Sequence, residues 1–177
     1  TGVTAAEVEA IGGPVAVAAF EREQRTRQLA YSVTRGLAGL PAAEQLARVE
    51  SLKPRGGEAD FAERQAAYEL AITTMDAATR LQATDPARAI QSADASAGLW
   101  RAYATQRTPD AAQTWARDAL NRQAAVGVPS TQRRILPLQE AQRIAGSVKD
   151  AVGPDILNAL QGAAQLVGQF GGYEGQI

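Results

Sequence analysis

The sequence predicts an all-α protein, a multi-helix bundle of about six to eight helices joined by short turns. Proline and glycine recur where helices usually end, and apolar residues between them follow a spacing of three or four. No run alternates apolar and polar residues as a half-buried strand would. Of the 177 residues, 45% are hydrophobic and only 5% aromatic. We therefore expect closely packed helices with a core of small aliphatic side chains.

The first elements are predicted from glycine and proline positions. Gly12-Gly13-Pro14 closes a short opening helix, because Pro14 suits the first position of a new one. Residues 15–37 form the second helix, with apolar residues spaced by four at Leu29, Val33 and Leu37. Gly39-Leu40-Pro41 then breaks the chain and starts a helix that runs to about residue 52.

The longest predicted helix covers residues 58–83, after a loop at 53–57. Its apolar stripe lies at Phe61, Tyr68, Ile72 and Met75. Thr84 or Asp85 is expected to cap the following helix, with Pro86 in the first turn.

Two central helices carry most of the aromatic residues. Leu99, Trp100 and Tyr103 share one side of a helix that ends near Arg107. Thr108-Pro109-Asp110 repeats the cap-plus-proline pattern and starts the next helix. Its buried side is predicted to contain Ala112, Trp115, Ala119 and Val126.

The last helices follow a break at Gly127-Val128-Pro129-Ser130. One helix is predicted over residues 137–152, and Gly153-Pro154 leads into the final one. The apolar stripe of the final helix contains Ile156, Leu160, Ala163, Val167 and Phe170. We predict an N-terminal helical segment at 1–39, a main bundle at 40–170 and a flexible tail at 171–177.

Absent residue types exclude several functions. The chain has no cysteine and no histidine. Disulfides, thiol nucleophiles, Ser-His-Asp catalysis and histidine-based zinc or iron sites are therefore excluded, unless a partner supplies the histidine. The net charge of -1 gives no general attraction to nucleic acids or anionic membranes. No apolar run reaches the roughly 18 residues of a membrane span.

The sharpest enzymatic candidate is Glu50, which is followed by Ser51 near a helix end. Lysozyme-like lytic transglycosylases carry their general acid as a glutamate in such a pair, held protonated by an apolar pocket. The rest of that family's pattern is missing after Gly56-Gly57. A solvated glutamate at a helix end is the preferred interpretation. We predict no catalytic, cofactor-binding or metal-binding residue, and no cofactor.

Other charged and aromatic residues favour structural roles. Glu21 with Arg25, and Asp60 with Arg64, are spaced for pairs on a helix surface. Arg133-Arg134 is interpreted as two surface arginines, since no further basic or aromatic residues accompany them. Trp100, Tyr103 and Trp115 are expected to pack in the core rather than to form a platform for sugars or bases.

Several short motifs resemble a known family when they are taken in order. The chain is similar to the helical segments of large internal virion proteins of tailed bacteriophages, the ejection or core proteins, some of which are joined to a lysozyme-like transglycosylase domain. The motifs that carry the resemblance are Leu40-Pro41-x-x-Glu44-Gln45, Val49-Glu50-x-Leu52-x-Pro54-x-Gly56-Gly57, Phe61-x-x-Arg64-Gln65-x-x-Tyr68-Glu69, Asp85-Pro86-Ala87, Trp100, Gly127-Val128-Pro129 and Leu136-Pro137-x-x-Glu140-Ala141.

The resemblance covers residues 40 to about 150 and implies a non-enzymatic, structural function. Such a protein leaves the capsid with the DNA and assembles in the host envelope or periplasm. It implies protein partners, either other virion or ejection proteins or further copies of the chain, and no catalytic residue is carried over. Because the chain starts at Thr1 and ends in a glycine-rich segment, we expect it to be cut from a longer polypeptide. The alternatives are a peptidoglycan-cleaving segment that uses Glu50 and a helical scaffold domain of the bacterial cytoplasm.

Overall fold

The structure, a computed structural model, describes residues 3–153 and 155–177. The protein is 77% helical, with eight α-helices and no strand among these residues, so the predicted all-α multi-helix class is confirmed. Short 3-10 turns lie at Leu37–Gly39, Ser130–Gln132 and Glu174–Gln176. The helices are α1 (Ala5–Thr34), α2 (Ala42–Glu50), α3 (Phe61–Thr84), α4 (Pro86–Gln91), α5 (Asp94–Gln106), α6 (Pro109–Ala125), α7 (Leu138–Lys149) and α8 (Asp155–Gly168).

The chain divides into two compact units. The first comprises the described residues of Thr1–Arg35 and Ala43–Asp76, and the second those of Gly36–Ala42 and Ala77–Ile177. Each unit therefore combines segments that are distant in sequence. The predicted boundaries after residues 39 and 170 stay a prediction.

Helix α1 begins and bends at the positions that local sequence signals indicate. The Thr4 hydroxyl accepts a hydrogen bond from the backbone N–H of Glu7, whose carboxylate accepts one from the N–H of Thr4. This reciprocal capping satisfies two N–H groups at the helix start. At Gly13 the backbone leaves helical geometry (φ 65°, ψ -169°), and the helix resumes at Pro14. The predicted break is present there.

Two further helix starts follow the cap-plus-proline pattern. Asp85 caps α4 by accepting a hydrogen bond from the N–H of Arg88, with Pro86 in the first turn. Thr108 caps α6 through the N–H of Ala111. Of the two residues proposed to cap α4, Asp85 is the one that does so.

The buried apolar residues described in the first unit are mainly alanines. Ala67 and Ala71, spaced by one helical turn on α3, are fully buried, and Val49 of α2 is 1% exposed. Phe61, predicted to belong to the apolar stripe of α3, is 44% exposed. The rest of the predicted stripe, Tyr68, Ile72 and Met75, is half-buried. The fully buried positions are alanines, because these allow helix backbones to approach closely while larger residues lie at the margin.

The second unit has an aromatic core. Tyr103 of α5, Trp115 of α6 and Phe170 are fully buried, together with Ile90 and Ile135. The Trp115 indole N–H donates to the backbone oxygen of Ile135 at 2.9 Å. The prediction that Tyr103 and Trp115 pack in the core is confirmed.

The last residues contact this core. The N–H of Ile135 donates to the backbone oxygen of Gln176 at 2.9 Å, and Tyr173 and Ile177 pack against the aromatic cluster. Residues 171–177 thus make defined contacts. These contacts do not test the flexibility that the sequence predicts for the segment, which stays a prediction. Pro154, which was expected to lead into α8, lies outside the described residues.

Candidate functional site

Glu50, the enzymatic candidate, lies at the end of α2 in the first unit. The Tyr68 hydroxyl donates to its Oε1 at 2.6 Å, and the Lys53 ammonium lies 3.4 Å from its Oε2. The hydrogen bond from Tyr68, and then the charge of Lys53, hold the pKa of Glu50 below its usual range. The same bond to Glu50 raises the pKa of the Tyr68 hydroxyl.

This arrangement favours the ionised form of Glu50. A glycosidase general acid requires the opposite, a carboxyl group that stays protonated because its pocket is apolar. The cleft beside Glu50, of about 430 Å³, is lined by charged residues that include Lys53, Arg55 and Arg64. The chemistry of the cleft therefore differs from that of the enzymes in which the Glu-Ser pair occurs.

The charged pairs predicted on helix surfaces form with other partners. Arg25 binds Glu63 of α3 at 3.1 Å rather than Glu21, and Arg64 binds Glu58 at 3.1 Å rather than Asp60. In the first case a side chain from another helix lies within reach, and a bond between helices replaces the local pair. Neither predicted pair forms a direct ion pair among the described residues, although the charge of Glu21, after the larger effects of Glu63, still helps to raise the pKa of Arg25.

Arg133 and Arg134 stabilise the connector between α6 and α7. The Arg133 guanidinium donates to the backbone oxygen of Val128 at 2.9 Å, and that of Arg134 donates to Thr131 at 3.2 Å. The buried amide of Gln123 exchanges two hydrogen bonds with the backbone of Arg134. Among the described residues, no cluster of acidic side chains has the geometry of a metal site.

An apolar exposed surface lies at the turn between α7 and α8. These two helices pack against each other, and the turn between them and the first turns of α8 expose four large aliphatic side chains. We call this the hairpin surface. It consists of Val152 (75% exposed), Ile156 (41%), Leu157 (67%) and Leu160 (47%).

The part of the hairpin surface on α8 belongs to an uncharged stretch of the chain, whereas Val152 precedes Asp155. No charged residue occurs between Ile156 and Tyr173. Ile156 and Leu160 belong to the apolar stripe predicted for this helix, and both are exposed, while Leu166 packs against the core from the far end of α8. Phe170, the last residue of that stripe, is fully buried.

A second apolar feature is a groove between α1 and α3 in the first unit. It has a volume of about 480 Å³, with Ala30 buried and with Tyr31 and Leu70 exposed beside it. The hydroxyls of Thr34 and Thr74 donate to backbone oxygens of their own helices, at 2.9 and 2.8 Å. These polar groups are satisfied internally, so the groove offers mainly apolar contacts.

Sequence reasoning missed these surfaces, because periodicity identifies an apolar face but not whether a neighbour covers it. The uncharged run after Asp155 was the available signal. Within the described residues, no helix is long and apolar enough to cross a membrane. No family model, curated protein or solved structure matches the chain.

Proposed function

We propose that this chain is a non-enzymatic structural domain that binds other proteins through the hairpin surface. The observation that carries the proposal is the exposure of Val152, just before α8, and of Ile156, Leu157 and Leu160 in the first turns of α8, whose single charged residue is Asp155. Burial of apolar surface drives most protein association, and exposed apolar side chains spaced by three and four on one helix, as here, are neighbours that suit an interface.

The occupant that fits this surface best is a second copy of the chain. In a two-fold interface each residue near the axis faces its own counterpart, so any charge there would repel itself. Asp155 is the last charged residue before the uncharged stretch, and the hairpin surface within α8 carries none. The part of the surface that follows Asp155 can therefore face itself without placing like charges opposite each other.

Sedimentation equilibrium of the 177-residue chain tests the proposal. We expect a mass above the monomer value of 18.6 kDa that rises with protein concentration. Leu157→Gln/Leu160→Gln should return the chain to a monomer, because glutamine keeps the helix but removes the apolar contact. Leu46→Gln, at an exposed leucine of α2, is the matched control and should associate like the unmodified chain. A mass that stays monomeric at all concentrations would contradict the proposal. An equal loss of association in the α8 double variant and in Leu46→Gln would contradict it as well.

The surroundings of Glu50 support a non-enzymatic function. Its carboxylate is stabilised in the ionised form by Tyr68 and Lys53, whereas lysis by general acid catalysis needs the protonated form. We expect no fall in turbidity when the chain is added to a peptidoglycan suspension. Lysis that Glu50→Gln abolishes would establish the enzymatic alternative instead.

We further propose that the domain belongs to an internal virion protein of a tailed bacteriophage. The support is the ordered set of motifs between Leu40 and Ala141, together with a helical fold rich in local contacts. Such folds refold quickly, as a protein that threads through a phage tail must do. Its location would be the virion and then the host envelope. The sequence of the complete gene and its neighbours tests this. Virion genes beside a long reading frame are expected, and a locus without them would refute it.

A further inference from the structure

Two adjoining clefts in the second unit share a wall of three residues. One cleft, of about 420 Å³, lies between α4 and α5, and the other, of about 340 Å³, lies between α4, α5 and the start of α7. Arg88, Gln91 and Trp100 line both. Arg101 lines the first cleft and Arg143 the second. We call this continuous surface the arginine groove.

The positive charge of the arginine groove is only partly neutralised. Arg143 and Arg107 share one carboxylate, that of Glu140, at 2.8 and 3.3 Å. Arg88 and Arg101 are exposed, and no carboxylate of the described residues lies within ion-pair distance of either. The groove is therefore a positive site on a chain whose net charge is -1.

Trp100 adds an apolar centre to the groove. Its ring is partly exposed and is held in place by Trp115, with ring centroids 5.1 Å apart, and by Tyr103, at 5.5 Å. Ala97 and Ala104 leave space beside it in the first cleft. Tryptophan and arginine are the residues most enriched in the energetic centres of protein interfaces. A rigid aromatic ring that lines the same clefts as two exposed arginines has the composition of such a centre.

We propose that the arginine groove binds an acidic segment of a protein partner, with carboxylates on Arg88 and Arg101 and an apolar side chain against Trp100. Guanidinium groups bind carboxylates through two parallel hydrogen bonds, which suits two arginines that have no internal partner. A single nucleic-acid strand is disfavoured, because it requires a longer basic track than two free arginines supply. The inference rests on the proposed function in that the partner is a protein, but it concerns a surface distinct from the hairpin surface.

The test uses the full 177-residue chain and two fluorescein-labelled twelve-residue peptides. One alternates glutamate and leucine, and the other has glutamine in place of glutamate. Fluorescence polarisation measures affinity, and acrylamide quenching measures protection of Trp100, since the other tryptophan, Trp115, is fully buried. We expect only the acidic peptide to bind, with an affinity that falls as salt is added and with reduced quenching.

Arg88→Gln/Arg101→Gln should weaken binding of the acidic peptide by about tenfold, because two charge-assisted contacts are lost. Both side chains are exposed, so the fold should persist, and circular dichroism checks this. Arg117→Gln, at an exposed arginine of α6 that lines neither cleft, is the control and should bind like the unmodified chain.

Three results would overturn the inference: no binding of the acidic peptide, equal binding by the double variant, or tighter binding of twelve-residue oligothymidine that the double variant loses. None of them changes the mass measured by sedimentation equilibrium. Failure of this inference is therefore distinguishable from failure of the proposed function.

Discussion

A single carboxylate joins two helix starts in the second unit. Asp85 is buried, and its Oδ1 accepts a hydrogen bond from the N–H of Arg88 at the start of α4. Its Oδ2 accepts one from the N–H of Leu138, the first residue of α7, at 3.0 Å. Each helix start presents N–H groups without an intrahelical partner, and the negative charge is favourable at both.

Asp85→Ala should destabilise the chain by about 2–3 kcal/mol, because it removes one cap and leaves a second N–H without its partner. Chemical denaturation followed by circular dichroism measures this. Thr108→Ala, which removes a single exposed cap bond to Ala111, is the comparison and should cost about 1 kcal/mol. Equal losses in the two variants would show that the bond to Leu138 contributes nothing.

Glu140 gives the stability a defined pH dependence. Hydrogen bonds from Arg143, and then the charges of Arg143 and Arg107, hold the pKa of Glu140 below its usual range. A carboxyl group more acidic in the folded state contributes stability above the unfolded-state pKa of about 4.3, and this is lost as pH falls through the folded-state value.

Glu140→Gln should therefore lower stability by about 1 kcal/mol at pH 7 and reduce the loss of stability on acidification. Urea denaturation from pH 7 to pH 3 measures both effects. Glu44→Gln, at an exposed glutamate of α2 that forms no ion pair with an arginine among the described residues, is the comparison and should lower stability less than Glu140→Gln. A profile for Glu140→Gln that parallels the unmodified chain would refute the assigned role.

At the scale of elements, the turn before α2 depends on the absence of a side chain. Gly39 is buried at the end of the Leu37–Gly39 turn, and a Cβ built there would overlap the Cβ of Ala93. Gly98, within α5, has open space at the corresponding position. Packing therefore requires glycine at position 39, whereas nothing in the structure requires it at position 98.

Gly39→Ala should lower the thermal unfolding midpoint, since overpacking costs about 1–3 kcal/mol. Gly98→Ala should raise the midpoint, because alanine exceeds glycine in helix propensity by about 1 kcal/mol. Differential scanning calorimetry of the two variants checks the opposite signs. A destabilising Gly98→Ala would show that α5 has a close neighbour at that position.

Helix existence and helix ends were predictable because their signals are local. The Thr108-Pro109 and Asp85-Pro86 pairs start helices where expected, and Gly13 breaks α1. A cap bond joins residues three apart, so tertiary structure is not needed to identify it. For the same reason the all-α class followed from the sequence.

The buried face of each helix was less predictable. In α3 the alanines Ala67 and Ala71 are buried and Phe61 is exposed, and at the start of α8 Ile156 and Leu160 are exposed. Apolar periodicity places such residues on one face but does not report whether another element packs there. The ion pair between Arg25 and Glu63 of α3 likewise depends on how α1 and α3 pack, so the sequence alone did not indicate it.

At the scale of the whole molecule, both proposed surfaces depend on residues that the fold collects. The arginine groove combines side chains from three helices, namely Arg88, Arg101 and Arg143. In the sequence, each of these arginines is indistinguishable from an ordinary surface residue. The hairpin surface is more local, since its four side chains lie within residues 152–160. Only the uncharged run after Asp155 could have indicated it from the sequence.

The central claim is that the hairpin surface faces its counterpart in a second copy. Because the chain lacks cysteine, Leu157→Cys introduces a single thiol, and a disulfide forms only where two Cα atoms approach within about 7 Å. Mild oxidation followed by non-reducing electrophoresis should give a dimer from Leu157→Cys or Leu160→Cys and only monomer from Leu46→Cys. Dimer formation at equal rates in all three variants, or none in the two α8 variants, would contradict the claim.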